Sequence, residues 1–372
     1  MNECHKKRNK IYQACLVSLC MFGTLSNVIG EASKNLKLEV KLSPNLCGEQ
    51  KANYRIMITN HPAAFGEVQA VQRLTKAASN LGWEWAIIEC LDKQPDYVSQ
   101  IKPNFVVSLR AEIAPVPGAI HLLYLHVPMF MYVNKEGVFR NKDYPNVLNY
   151  DGFLSVVPDA EPIRLAYEAQ NHKKFYNVHT VFSVQTTDFK DTPKTRLCHW
   201  GCIWDKARGS DHYQRFYQLL DQTGYFDLYG HPSSWVKMNL TSYRGLLPVD
   251  DHTVVDTIAN CGIALVLHSH EHIKGRVPTS RIFEAAAASA VIICDHHPFV
   301  EKEFGDSVLY VDPNQDPEKV FAQIDAHVKW VHENPDKAIQ LAKRSHTIFM
   351  ERFTLENELL KIAKLYESMS EK

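Results

Sequence analysis

The chain has 372 residues, with 41 lysine and arginine side chains against 42 aspartate and glutamate side chains. This length exceeds one ordinary domain and suits two, each with its own hydrophobic core. The balance of charge excludes a general field that would attract nucleic acid or an anionic surface, so any anion site must be local. No internal repeat and no nucleic-acid-binding motif is visible.

Residues 1–30 differ from the rest of the chain. Lys6, Lys7 and Arg8 precede an apolar run from Ile11 to Ile29. This order is typical of a signal peptide or a membrane anchor. We therefore expect export or membrane association, in the secretory pathway or a bacterial envelope. The alternative is a buried N-terminal helix in a cytoplasmic protein.

The cysteines favour scattered thiols over a disulfide framework. Of the nine, Cys4, Cys15 and Cys20 fall in the N-terminal segment, and the others show no regular spacing. Cys198 and Cys202 have no second pair to complete a zinc site, so we expect core thiols there.

Apolar runs alternate with helical patterns through the first half. A strand is predicted over 54–59, followed by a turn that contains Gly66 and a helix that ends at Gly82. Further strands are predicted over 85–90, 105–109, 120–125 and 153–157. Short apolar runs between proline-containing loops are typical of buried parallel strands.

The polar stretch 185–196 interrupts this alternation, which then begins again. Beyond it, strands are predicted over 197–200, 226–229, 263–267, 290–294 and 308–311, and helices over 213–220, 253–259 and 281–288. The pattern predicts an α/β protein with two doubly wound, Rossmann-like domains that face a cleft. We assign residues 31–190 to the first domain, 191–350 to the second, and 351–372 to a helix that crosses back to the first.

Open α/β sheets bind ligands beyond the carboxyl ends of their strands. After the strand at 197–200, Gly201 permits close backbone approach, and Lys206 and Arg208 supply positive charge before the next helix. A diphosphate suits such a loop. The alternative for both cations is an ordinary solvated loop.

A second candidate is the start of the helix at 281–288. Thr279 or Ser280 can cap it, and its free amides together with Arg281 can face an anion. Arg281 and Glu284 lie on one face of the helix because they are three residues apart. Alone, such a pair would be interpreted as a surface ion pair of little energetic value.

The segment 279–287 reads T-S-R-I-F-E-A-A-A. It resembles the "pS-R-x-F-E-A-x-A" motif in the donor-binding domain of GT-B glycosyltransferases, the group 1 or CgeB-like members. The resemblance extends to Tyr243-Arg244-Gly245, to 226–230 and to Asp295, and covers roughly residues 54–366.

This resemblance implies a glycosyltransferase that uses a nucleotide-diphosphate sugar, a UDP- or GDP-sugar, as donor. Lys206, Arg208 and Arg281 would hold the pyrophosphate, and Glu284 would bind the ribose hydroxyls. The donor site would also include Gly201, Tyr243 and Ser280.

The first domain would supply the acceptor side of the cleft. Gly66 would lie in a loop that meets the phosphates, and His126 would contact the transferred sugar. As catalytic residues the resemblance implies His126 and Arg281, although a structural histidine is the alternative for His126. The acceptor would be a glycan or another hydroxyl compound.

Two departures leave the donor and the stereochemical outcome open. Ser289-Ala290 replaces the glycine usual after the glutamate helix. The paired glutamates of many retaining members are absent unless Glu271 serves as the second.

We expect no cofactor and no metal requirement. His268, His270 and His272 alternate at a strand end and present a zinc alternative, without an evident supporting carboxylate pattern. Asp295-His296-His297 is similar to the DHH phosphoesterase motif but lacks its partner carboxylates. A different class of protein, an exported two-domain solute-binding protein without catalysis, would share the fold but not the Arg281–Glu284 helix.

Overall fold

The structure is a computed structural model that describes residues 39–42, 54–60, 65–89, 101–109, 114–139, 147–203 and 205–370. The predicted signal peptide or anchor at 1–30 lies outside the described residues. Within the described part of the chain, no helix is long and apolar enough to cross a membrane.

The first half of the described chain forms one sheet. Its strands are β1 (Glu39–Leu42), β2 (Arg55–Asn60), β3 (Glu84–Glu89), β4 (Phe105–Ser108), β5 (Ile120–Leu125), β6 (Gly152–Ser155) and β7 (Tyr176–Val178). The helices are α1 (Phe65–Asn80) and α2 (Ala160–Asn171), with 3₁₀ turns at Met129–Met131 and Val147–Asn149. The order is β1-β3-β2-β4-β5-β6-β7. Only β1 pairs antiparallel, with β3.

The second half forms a parallel sheet. Its strands are β8 (Arg196–Trp200), β9 (Phe226–Tyr229), β10 (Tyr243–Gly245), β11 (Gly262–Val266), β12 (Val291–Asp295) and β13 (Leu309–Val311), in the order β10-β9-β8-β11-β12-β13. The helices are α3 (Asp211–Asp221), α4 (Pro232–Trp235), α5 (Thr253–Cys261), α6 (His270–Gly275), α7 (Ser280–Ala287), α8 (Pro298–Glu303), α9 (Pro317–Glu333) and α10 (Pro335–Arg352), with 3₁₀ turns at Val236–Met238 and Gly305–Ser307.

Helix α7, which carries the glutamate motif, is packed on several sides. Ala285, Ala286 and Ala287 are buried, and these small side chains let α7 pack closely against α5, α10 and β12. The helix is followed by Ser289 in the left-handed region, at a φ of 57°. This is where the resembling family has glycine, and here the Ser289 hydroxyl accepts a bond of 2.9 Å from the Lys190 backbone N–H.

The last helix, α11 (Leu355–Ser370), crosses back to the first domain. Leu355, Leu359 and Ile362 are buried in the same core as α1. The predicted α/β fold with two Rossmann-like sheets and a crossover helix is therefore confirmed.

The strand and helix predictions match many of the observed elements, but several elements, most of them short, were missed. The predictions did not include β1, β7, β10, α2, α4, α6 and α8. Strands of three or four residues carry too little periodicity to be recognised, and β1 depends on pairing with a strand more than forty residues away.

A buried carboxyl joins α11 to the segment between the two sheets. Glu358 accepts a bond of 3.3 Å from the Val181 N–H and one of 2.9 Å from Lys361. Burial is the main cause that raises the pKa of Glu358 to about 7, against the opposing effect of Lys361.

We expect the free energy of unfolding to fall as pH rises from about 4.3, the ordinary glutamate pKa, through about 7. The folded state holds this proton more tightly than the unfolded state, so its stabilisation is present at low pH and lost above the raised pKa. Glu358→Gln should make the decrease in the free energy of unfolding smaller, by on the order of 1.4 kcal/mol for each unit by which the pKa of Glu358 is raised. Urea unfolding from pH 5 to 8 measures it, with Glu351→Gln as the exposed control. Identical pH profiles for Glu358→Gln and the wild type would contradict the prediction.

Candidate functional site

The carboxyl ends of β8, β11 and β12 meet at one edge of the second sheet. β11 pairs with β8 on one side and with β12 on the other, all parallel. This places Trp200, Leu267 and Asp295 at the same edge, where open α/β sheets bind ligands.

Arg281, the second residue of α7, extends to this edge. Its Nη2 donates to the Leu267 carbonyl at 2.6 Å, and its Nη1 lies 3.5 Å from the Trp200 carbonyl. No carboxylate among the described residues lies within 4.0 Å of this guanidinium. Burial, and then the charge of Arg208, lower the pKa of Arg281. A partly buried cation that has only carbonyl partners is suited to bind an anion.

Arg208 lies close enough to this site to act on its charges. Its side chain is buried and forms an ion pair with Asp205. Burial raises the pKa of Tyr217 on α3, and the charge of Arg208 partly opposes this shift. Lys206 is exposed on the same loop. The structure thus brings Arg208 and Arg281 together and leaves Lys206 at the rim.

Gly201 follows β8 directly, at a φ of 129° that favours glycine. A Cβ at this position would lie 3.8 Å from Arg281 Nη1. The Gly201 carbonyl accepts a bond of 2.9 Å from Trp235 Nε1, which fixes the turn. The predicted backbone approach beside Arg281 is therefore sterically open.

Glu284 lies one turn into α7 and is buried. Its Oε1 accepts a bond of 2.7 Å from Arg73 Nη1, and its Oε2 accepts one of 2.6 Å from Trp200 Nε1. The surface ion pair with Arg281 considered from the sequence is wrong, because Glu284 is buried and pairs with an arginine of the first domain. Its expected role at the ribose remains a prediction.

Arg73 is a residue that sequence reasoning missed. It lies on α1 and is 1% exposed. Its Nε and Nη2 have no hydrogen-bond partner among the described residues. On the same helix Gln69 donates to the Asp250 carbonyl at 3.1 Å. The sequence does show that Arg73 is a charged residue between the apolar Val71 and Leu74. It does not identify the partner of Arg73, which is 211 residues away.

Ser280 and Tyr243 border the site. Ser280 is the first residue of α7, and Thr279 occupies the N-cap position without a side-chain capping bond. The capping expected from the sequence is therefore not made, and the Thr279 hydroxyl is buried without a described partner. The Tyr243 hydroxyl donates a hydrogen bond of 2.9 Å to the Gly230 carbonyl, which stabilises the turn after β9.

The candidates in the first domain are Gly66 and His126. Gly66 is exposed in the first turn of α1, and the residues directly before this helix lie outside the described ones. His126 is half-buried and stacks on Phe182, with ring centroids 4.7 Å apart. Its Nδ1 lies 3.3 Å from the Tyr124 carbonyl. Just beyond it, Pro128 approaches Gly275 of the second domain.

The three alternating histidines do not all come together in the described structure. β11 ends at Val266 and α6 begins at His270, so the strand alternation on which the zinc alternative depended is absent. His268 is buried against Asp295, whereas His270 is exposed. Asp295 therefore pairs with a histidine and not with the further carboxylates that a DHH-type site requires.

Comparison with known proteins gives a match to one family model and matches to solved structures. Residues 208–364 match the family model described as glycosyl transferase-like. No curated protein matches the chain by sequence.

Solved structures match most of the chain. A glycosyltransferase from Rickettsia africae has a TM-score of 0.52 at 12% identity, with 85% of this chain and 98% of that chain covered. HepE from Anabaena, solved with UDP and glucose, has a TM-score of 0.52 at 9% identity, with 85% and 100% covered. The GtfA/B complex has a TM-score of 0.46 at 12% identity, and this chain spans 57% of it. At such identities the likeness shows the fold alone.

The ion pair between Arg73 and Glu284 should contribute strongly to stability. Arg73→Met leaves a buried carboxylate without its cation, and we expect a loss of about 3–5 kcal/mol in the free energy of unfolding. The double variant Arg73→Met/Glu284→Gln keeps an amide oxygen for Trp200 and should recover part of this loss.

Urea unfolding of the single and double variants measures this difference. Lys76→Met, at an exposed position of α1, is the matched control and should stay within about 0.5 kcal/mol of the wild type. A double variant no more stable than Arg73→Met would contradict the assignment.

Proposed function

We propose that the chain, which has the GT-B fold, is a glycosyltransferase that moves a sugar from a nucleotide-diphosphate sugar to a hydroxyl acceptor without a metal ion. The single observation that supports this donor class most strongly is Arg281. Its guanidinium lies at the ligand-binding edge of the second sheet, next to Arg208, with no described carboxylate in ion-pair range.

The proposed donor site is built around this charge. Arg281 and Arg208 bind the diphosphate, and Lys206 attracts it from the rim. The backbone at Gly201 and the free amides at Ser280, where α7 begins, contribute neutral donors. Tyr243 holds the neighbouring turn in place.

In this mechanism the bond between the sugar and the diphosphate breaks through an oxocarbenium-like transition state. Negative charge then grows on the departing diphosphate, and the preorganised arginines and helix amides stabilise it. Such fixed charges supply the role that a metal ion has in other phosphate sites, so no metal is required by this proposal.

We assign Glu284 to the ribose hydroxyls, as the family resemblance implies. Each carboxylate oxygen accepts more than one hydrogen bond, so Glu284 keeps acceptor capacity beside Arg73 and Trp200. Because it is 2% exposed, the two domains must separate before a nucleotide can reach it.

The acceptor, a glycan or another hydroxyl compound, would bind on the side of the first domain. We propose that His126 contacts the transferred sugar and that the Gly66 region faces the phosphates across the cleft. The N-terminal segment would export the enzyme or attach it to a membrane. The solute-binding alternative has no support among the matches described above.

Arg281→Met should lower turnover at least about a hundredfold, because it removes a charged donor to the departing diphosphate. It also removes a partly buried charge that lacks a carboxylate partner, so the melting temperature of the ligand-free protein should stay unchanged or rise. Arg276→Met, at an exposed position just before α7, is the matched control. Unchanged turnover and donor affinity in Arg281→Met would rule out this site.

A thermal-shift screen with UDP-, GDP-, ADP- and CMP-sugars in EDTA tests the donor class and the absence of a metal requirement. We expect one nucleotide class to raise the melting temperature, since a ligand at a hundred times its Kd adds about 2.7 kcal/mol. Stabilisation by no nucleotide would contradict the proposed donor. Stabilisation only after a divalent ion is added would contradict metal independence.

A further inference from the structure

His268, which closely follows β11, has a ring nitrogen that is buried without a described partner. Its side chain is fully buried, and Nε2 has no hydrogen bond to any described residue. Buried polar atoms are nearly always hydrogen-bonded, and an exception in a native site calls for a reason. A ligand that completes the bond is such a reason.

The rest of the His268 ring is held firmly by Asp295. Nδ1 lies 2.7 Å from Asp295 Oδ1, and the His268 backbone N–H donates to Oδ2 at 2.6 Å. Burial opposes ionisation of Asp295, but the His268 ring and these hydrogen bonds outweigh it and hold the pKa of Asp295 below its ordinary value. An ionised Asp295 accepts a hydrogen bond from Nδ1–H of the ring, which leaves Nε2 without a described partner.

His268 lies at the same sheet edge as Arg281. Arg281 Nη2 binds the carbonyl of Leu267, the residue directly before His268. Burial, and then the charges of His268, Arg281 and Arg208, lower the pKa of the nearby His272 to about 3.

The groups that face His268 come from every element packed around it. They are Asp295 and Cys294 of β12, His297 after β12 and His272 of α6, while Arg281 of α7 binds the carbonyl of the residue before His268. His297 is already engaged, because its ring accepts from the Phe299 N–H at 3.1 Å and lies 3.3 Å from the His272 carbonyl. Arg281 is a fixed cation beside this cluster, and an anion bound to it would also lie close to His268.

We propose that His268 is a further donor-binding residue, whose Nε2–H binds an oxygen of the donor diphosphate while Asp295 orients the ring. The ring takes up one proton from solvent as the diphosphate binds and keeps it through turnover. Asp295 is a positioning residue, since it acts only through His268. This inference rests on the proposed function and adds a third cation that exists only in the occupied site.

Isothermal titration calorimetry with UDP and with inorganic pyrophosphate tests the proposal. At pH 8 the terminal phosphate of UDP, with a pKa of about 6, is already deprotonated. Titrations in two buffers of different ionisation enthalpy then report the protons taken up by the protein. We expect the wild type to take up close to one proton per ligand.

Two substitutions separate hydrogen bonding from charge. His268→Asn keeps a donor for Asp295 but places nothing at Nε2, so affinity should fall at least tenfold and proton uptake should vanish. His268→Gln can reach the Nε2 position with a neutral amide, so it should keep more affinity but show no uptake. His270→Asn, at an exposed position two residues away, is the control and should behave as the wild type.

The outcomes distinguish this inference from the proposed function. If the wild type binds UDP but His268→Asn binds it equally well, or if His268→Gln still takes up a proton, His268 is a structural residue and the inference is overturned. If the wild type binds neither UDP, GDP nor pyrophosphate, the proposed function fails as well. If His268→Asn does not fold, the proton uptake of His268→Gln decides.

Discussion

The carboxylate of Glu284 is the point at which the two domains and the candidate site are joined. Arg73 of the first domain binds one oxygen, and the Trp200 indole at the end of β8 binds the other. Because a buried charge is stable only when it is paired and hydrogen-bonded, this carboxylate constrains both neighbours. Trp200 in turn offers its carbonyl to Arg281. The domain interface and the candidate anion site therefore share one short chain of contacts.

This arrangement connects domain motion to ligand access. The contacts around Glu284 cross between α1 and α7, and Gln69 on α1 adds a further polar contact with the second domain. A polar interface of this kind can open at a smaller cost than an apolar one, since water replaces its hydrogen bonds. Under the proposed function, the donor would favour an open arrangement that exposes Glu284 over the observed one, in which Glu284 is buried.

Much of the second domain and its site could be predicted from the sequence. The order of strands and helices alone predicts the edge where the parallel strands end. Three sequence features mark that edge: the glycine after β8, the cations in the following loop and the S-R-x-F-E segment. His268 and Arg73 could not be placed in this way. A histidine at a strand end has the same sequence signature whether its ring faces solvent, a metal or a neighbouring carboxylate, and an arginine among apolar helix residues does not reveal its partner.

The sequence by itself determined the α/β class, the two sheets, the crossover helix and the segment that carries Arg281, because hydrophobic periodicity and helix-start chemistry are local properties. Only the tertiary structure decided which charges are paired. In the folded protein Arg281 donates to a backbone carbonyl, Glu284 pairs with Arg73, and His268 pairs with Asp295. Pairing depends on distances between residues far apart in the chain, and those distances exist only after both sheets have formed and packed together.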